Sequence, residues 1–156
     1  MSKKKKVSEV FSFLIPMQQD HLLMPNEAVA EIVPFMNVSL FSGVEENKEW
    51  HIGNLAWRNM TIPVISLERV HGQQDIGDIR RSRIAVIYTL NGNQEVPYLA
   101  LTVRGIPRVI PIDENNSAME NAKPKEKGIS AWVTVGEQKA LIPDMDALEE
   151  LAKSVA

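Results

Sequence analysis

Cysteine is absent from the 156 residues of this chain. That excludes disulfides, thiolate nucleophiles and cysteine-ligated zinc, and it fits a reducing compartment. Histidine is scarce. His21, His51 and His71 form no H-x-x-x-H or H-x-H spacing, so a histidine metal site has no support in the sequence. Phosphate-cradling loops are missing too: the segments Gly43 to Gly53 and Gly72 to Gly77 match neither the P-loop nor G-x-G-x-x-G. Ser39, Ser42, Ser66, Ser82 and Ser130 lack any nucleophile-elbow context. Glu45, Glu46, Glu49, Asp75 and Asp78 lie in polar stretches and read as solvated carboxylates. No catalytic residue, metal or cofactor is therefore expected.

Charge of one sign is also in short supply. The net charge of −3 gives the molecule no electrostatic reason to seek nucleic acid or an anionic membrane. Arg80, Arg81, Arg83, Arg104 and Arg108 gather in the second half. Aromatics, however, make up only 6% of the chain and do not alternate with these arginines, so the stacking platform of a single-strand binder is missing. No stretch approaches the ~18 apolar residues of a membrane span. Lys3 to Lys6 could open a signal peptide, but the apolar run from Phe11 to Met17 is broken by Ser12 and Pro16 and lacks a cleavage site. The reading is a soluble, cytoplasmic protein. Its basic tail, residues 1–9, is a solvated segment or a minor anchor to acidic lipid or RNA.

What is present is a packed-core composition, 44% hydrophobic, patterned mostly as short strands. Val10 to Ile15 is strand-like and Pro16 closes it. Leu22 to Met24 is a second apolar run, stopped by Pro25. Asn26 then leads into Glu27 to Val33, where a two-turn helix and a strand are both open. Gly53 and Asn54 read as turn residues. Pro63 places the run Ile62 to Leu67 near a strand start or on an edge. Ile84 to Leu90 is the clearest buried strand, and Asn91-Gly92 follows as a hairpin signal. Tyr98 to Val103 returns. Asp113 to Gly128 is polar enough to be a long mobile loop. Trp132 to Val135, Gly136-Glu137 and Ala140 to Pro143 make a final hairpin. Asp144 or Asp146 caps a helix from Ala147 to Val155 with Leu148, Leu151 and Val155 on one face. The polar segment from His71 to Ser82 is the candidate junction between two halves of similar strand content, with no sequence repeat between them. Many strands and few helices argue for small barrels or a sandwich over a doubly wound sheet.

Three segments, taken in order, resemble the CheW-like family, and in particular its ChpC-like branch from pilus chemosensory systems. The first is Leu22 to Ile32, which ends in Val29-Ala30-Glu31-Ile32, similar to the family's V-x-E-I pattern on a short helix. The second is Gly53 to Leu67, similar to G-x-x-x-x-R-G-x-x-x-P-hydrophobic, with Trp57 before Arg58 as in the ChpC-like branch. The third is the layout of paired strands, Gly105, a long loop, a closing hairpin and a terminal helix from Arg83 to Leu151. Asn59 departs from the family's glycine, and Asn is the side chain that best tolerates left-handed backbone.

The resemblance implies a mainly β fold of two small five-stranded SH3-like barrel subdomains, with short helices and a C-terminal helix, in one domain over residues 10–155. It implies no enzymatic activity. It implies an adaptor that couples the cytoplasmic tip of a methyl-accepting chemoreceptor to the regulatory domain of a CheA-type histidine kinase, in chemotaxis or in type IV pilus and twitching signalling. By position it carries over Val29, Glu31, Arg58, Ile84 and Val109 as partner-binding residues. Core packing is the plainer reading of the apolar ones; for Arg58, pairing with a local carboxylate such as Glu31 and direct contact with a partner stand open alike. The competing function is a small β-barrel that binds nucleic acid or a ligand, with a dispersed-site enzyme behind it.

Overall fold

The computed structural model describes residues 10–41, 48–73, 75–91, 94–113, 117–119 and 126–155. Among them the chain is mainly β. In order come β1 (Val10–Pro16), β2 (His21–Pro25), a 3-10 turn at Asn26–Ala28, β3 (Val29–Pro34), β4 (Val38–Leu40), β5 (His51–Trp57) and β6 (Met60–Ile65). Then follow α1 (Leu67–His71), a 3-10 turn at Ile79–Arg81, β7 (Arg83–Tyr88), β8 (Tyr98–Val103), β9 (Arg108–Ile112), β10 (Ser117–Met119), β11 (Ile129–Val135), β12 (Gln138–Pro143) and α2 (Met145–Val155). The strands form two curled six-stranded sheets, ordered β10-β11-β12-β2-β1-β9 and β3-β7-β8-β6-β5-β4. Each sheet thus has one strand more than the five expected; the three-residue strands β4 and β10 lie at the sheet ends.

The two sheets share one plan. A three-strand meander (β4-β5-β6 or β10-β11-β12) meets a hairpin (β7-β8 or β1-β2) through a parallel pair, β6 with β8 and β12 with β2. A further strand, β3 or β9, flanks the hairpin, and a helix follows the meander in both sheets. The first sheet is a circular permutation of the second, because β1 and β2 precede the whole second sheet while β9 to β12 follow it. The expected junction at His71 to Ser82 is therefore displaced. That segment connects β6, through α1, to β7 inside the second sheet, and the chain changes sheet after β2 and again after β8.

Three apolar cores follow from this arrangement. One fills the second sheet, with Leu55, Trp57, Ile62, Val64, Ile84 and Val86. One fills the first, with Leu14, Leu23, Val133, Val135 and Ala140. The largest lies between the sheets and takes Ile15, Leu22 and Met24 from one, Ile65, Ala85, Ile87, Leu99 and Leu101 from the other, and Leu148 and Ala152 from α2. Strand β7 reads as an unbroken apolar run because its alternate residues feed two different cores.

Several local expectations are settled here. Val29 to Val33 is strand, and the helix before it shrinks to the three-residue 3-10 turn. Gly53 is no turn residue; it lies inside β5 beside a bulge, where a Cβ would run into the Ser39 backbone of β4. Pro63 occupies an interior strand, and the β8 ladder starts only after it, at Val64. The β7–β8 hairpin forms, but its connection runs from Thr89 to Pro97, and Gly92 lies outside the described residues. Within the expected loop from Asp113 to Gly128, Ser117–Met119 pairs with β11, while 114–116 and 120–125 lie outside the described residues. The final hairpin turns at Gly136-Glu137, and Asp144 caps α2 by accepting from the Ala147 amide at 3.1 Å.

Candidate partner-binding site

The β5–β6 hairpin pairs Trp57 with Met60, leaving Arg58 and Asn59 as a two-residue turn. Their φ values are 48° and 63°. Two consecutive left-handed residues are what a tight hairpin needs to match strand twist. Asn59 thus does the backbone work of the family's glycine. Residue 58 is held at the tip of a rigid turn, and its guanidinium carbon lies 4.3 Å from the centroid of the Trp57 ring.

Glu31, on β3, faces this turn. Its Oε1 accepts from Trp57 Nε1 at 2.9 Å and lies 3.5 Å from Arg58 Nη2. The Arg58 and Glu31 side chains keep 63% and 44% of their exposure. An ion pair this open and this long contributes well under ~1 kcal/mol. Glu31 and Arg58, 27 residues apart in sequence, are therefore brought together. Trp57 is the residue that sequence reasoning placed only as a motif neighbour.

Val29 is half-buried. It pairs with Ile87 across β3 and β7 and packs on the intersheet core. Val109 is 55% exposed on β9 and pairs with Phe13 of β1, which also packs on the intersheet core. Cross-strand partners project to the same face, so Phe13 and Val109 share one with Phe11 and Pro111. Phe11 is 53% exposed, and Ile106, just before β9, is more open still. An apolar strip thus runs from the intersheet core out to solvent at Phe11 and Val109. The i, i+2 spacing of Phe11, Phe13 and Ile15 was the signal for it in the sequence. Ile84 does not belong there: it is fully buried inside the second sheet's own core, paired with Val33 and Thr102, and meets no surface. Strand β7 is covered on both faces, which is the arrangement core packing of Ile84 requires.

Two cavities of about 470 Å³ are also present, one beside Asn54, Met60, Tyr98 and Val155, the other beside Leu14, Arg108, Pro111, Val135 and Gln138. Neither is lined by any of the five carried-over residues. Among the described residues no group of three or more His, Asp or Glu side chains comes together to hold a metal. His51 meets Asn54, and His71 meets Glu126. Among the same residues no helix is long and apolar enough to cross a membrane.

The comparisons with known proteins agree with this architecture. A model of the CheW-like domain matches residues 10–152. The chain belongs to the CheW-like domain family. The crystal structure of scaffolding protein TtCheW from Thermoanaerobacter tengcongensis superposes with a TM-score of 0.66 at 22% identity, covering 86% of this chain and 88% of that one. A search of curated proteins finds no match.

Proposed function

We propose that this chain is a non-enzymatic scaffold that couples chemoreceptor tips to the regulatory domain of a CheA-type histidine kinase, on the cytoplasmic side of the membrane. Residues 10–155 act as one unit, with 1–9 a basic tail outside it. The observation that carries the reading is the exposed apolar strip of Phe11 and Val109, continuous with the core between the two sheets, in a chain whose family match spans 10–152. A soluble protein that leaves such a strip uncovered has a partner to cover it. Val29, Val109 and Phe11 supply apolar contact, and Arg58 with Glu31 supplies polar contact. Trp57 before Arg58 supports the ChpC-like branch and with it a pilus or twitching pathway.

The test is reconstitution. Purified chain, a chemoreceptor cytoplasmic fragment and a CheA-type kinase are mixed, and kinase phosphorylation is followed. The expected result is receptor control of the kinase only when the chain is present, lost with Val109→Asp. Receptor and kinase pairs from a pilus and from a flagellar system, run side by side, decide the pathway. Equal kinase output with and without the chain, for every pair, would end the coupling reading.

A further inference from the structure

Glu31 Oε1 is shared unequally. The neutral indole N–H of Trp57 donates to it at 2.9 Å, while the guanidinium of Arg58 stays at 3.5 Å. The short bond is therefore the one from tryptophan. Trp57 is itself fixed: its ring is buried in the core of the second sheet and packs edge-on against Tyr98 at 4.9 Å, which in turn meets Tyr88 at 5.3 Å. Its face carries the Arg58 guanidinium at 4.3 Å. A guanidinium over a ring face is attracted by the ring without consuming its N–H donors, which all lie in the guanidinium plane.

We propose that Trp57 is the positioning residue of this site. It holds Glu31 by its N–H and Arg58 by its ring, so that the guanidinium presents its donor edge to a carboxylate of the partner. If Arg58 alone held Glu31, the shortest contact would run between the two charges and the guanidinium would be turned inward. The observed order of distances is the reverse. A carboxylate suits the geometry because it accepts two parallel N–H bonds from an arginine edge. This inference rests on the coupling reading for the identity of the partner, but not for the internal arrangement of the three side chains.

The experiment has one arm for each. In the free protein, Trp57→Phe identifies the Trp57 indole N–H signal in a nitrogen–proton spectrum by its loss. That signal is expected to exchange slowly with water, and to exchange faster in Glu31→Ala but not in Arg58→Ala; its position responds to both, because Arg58 lies over the same ring. In the second arm, binding of a receptor-tip fragment is measured across a range of salt. Arg58→Ala is expected to weaken binding about tenfold, the loss of one charge-assisted contact, and to flatten the salt dependence. Trp57→Phe, which keeps a ring but loses the N–H, is expected to weaken binding about threefold to tenfold and to flatten the salt dependence part of the way. A merely structural role would shift affinity equally at every salt concentration. An indole signal indifferent to Glu31→Ala, or a Trp57→Phe protein with the parent's salt dependence, overturns the proposal. If the parent binds no receptor fragment, the coupling reading fails by itself, and the indole measurement still decides what Trp57 holds.

Discussion

Asn59, with its φ of 63°, shows how one residue carries a turn. Left-handed backbone costs a β-branched residue more than it costs Asn or Gly. Asn59→Gly is expected to melt at or slightly above the parent temperature, while Asn59→Val should lose about 1–2 kcal/mol. A Val variant as stable as the parent in chemical denaturation would refute this account of the turn. Glu68 makes the electrostatic case. Burial pushes its carboxyl above the usual range, helped by Asp20, while the Gln18 N–H and the Arg104 charge pull the other way. A native value above the unfolded one means the folded protein takes up the proton first. The resulting stability is fully present below the unfolded value and is lost as pH rises through the native one. Glu68→Gln should therefore flatten the fall in stability from mildly acidic to neutral pH, measured by urea titration at the two ends. An unaltered slope would mean that burial at Glu68 is not what penalises its charge.

At the scale of elements, α2 shows what a buried carboxylate can do in a structural role. Glu149 is almost fully buried, and its two oxygens accept from the Leu90 and Asn91 amides at 3.2 and 3.4 Å and from Asn91 Nδ2 at 3.2 Å. Those bonds tie the long β7–β8 connection to the helix. Glu149→Ala should cost about 2–3 kcal/mol, because donors that met a charge lose it and the side chain leaves a gap. Hydrogen exchange at Leu90 and Asn91 should quicken more than exchange in β7. Uniform quickening throughout would show that the helix, not the connection, depends on Glu149.

For the whole molecule, the three cores predict a graded response to a buried charge. Val86→Asp should unfold the protein, a loss of order 4–5 kcal/mol for an unpaired carboxylate inside the second sheet. Val29→Asp should cost less, since Val29 only borders the intersheet core. Val109→Asp should melt close to the parent, because that side chain already meets water, and yet lose receptor binding as the complex strips water from an unpaired charge. Melting followed by circular dichroism beside a receptor-fragment binding assay separates the three. A Val109→Asp protein that both melts and binds like the parent would remove β9 from the interface.

Much of this was written locally. The turn at Gly136-Glu137, a cap at Asp144 or Asp146, the apolar face of α2 and the unbroken run of β7 follow from neighbouring residues, because turn chemistry, capping and side-chain period act over a few positions. The ordered motifs Val29 to Ile32 and Trp57 to Leu67 carried the family. Sheet membership was another matter. A polar stretch such as 71–82 looks the same whether it joins two subdomains or two strands of one sheet, and only the pairing of β6 with β8 and of β12 with β2 decides. The same holds for Ile84 and Val109, two apolar residues in strands. Tertiary packing covers both faces of β7 and leaves the Val109 face of β9 open to water, so one side chain is core and the other is surface. The bond from Trp57 to Glu31 spans 26 residues, and no sequence period reaches that far. It exists because the second sheet brings the β5–β6 turn to β3, a consequence of long-range hydrogen bonding that the local pattern of either segment does not contain.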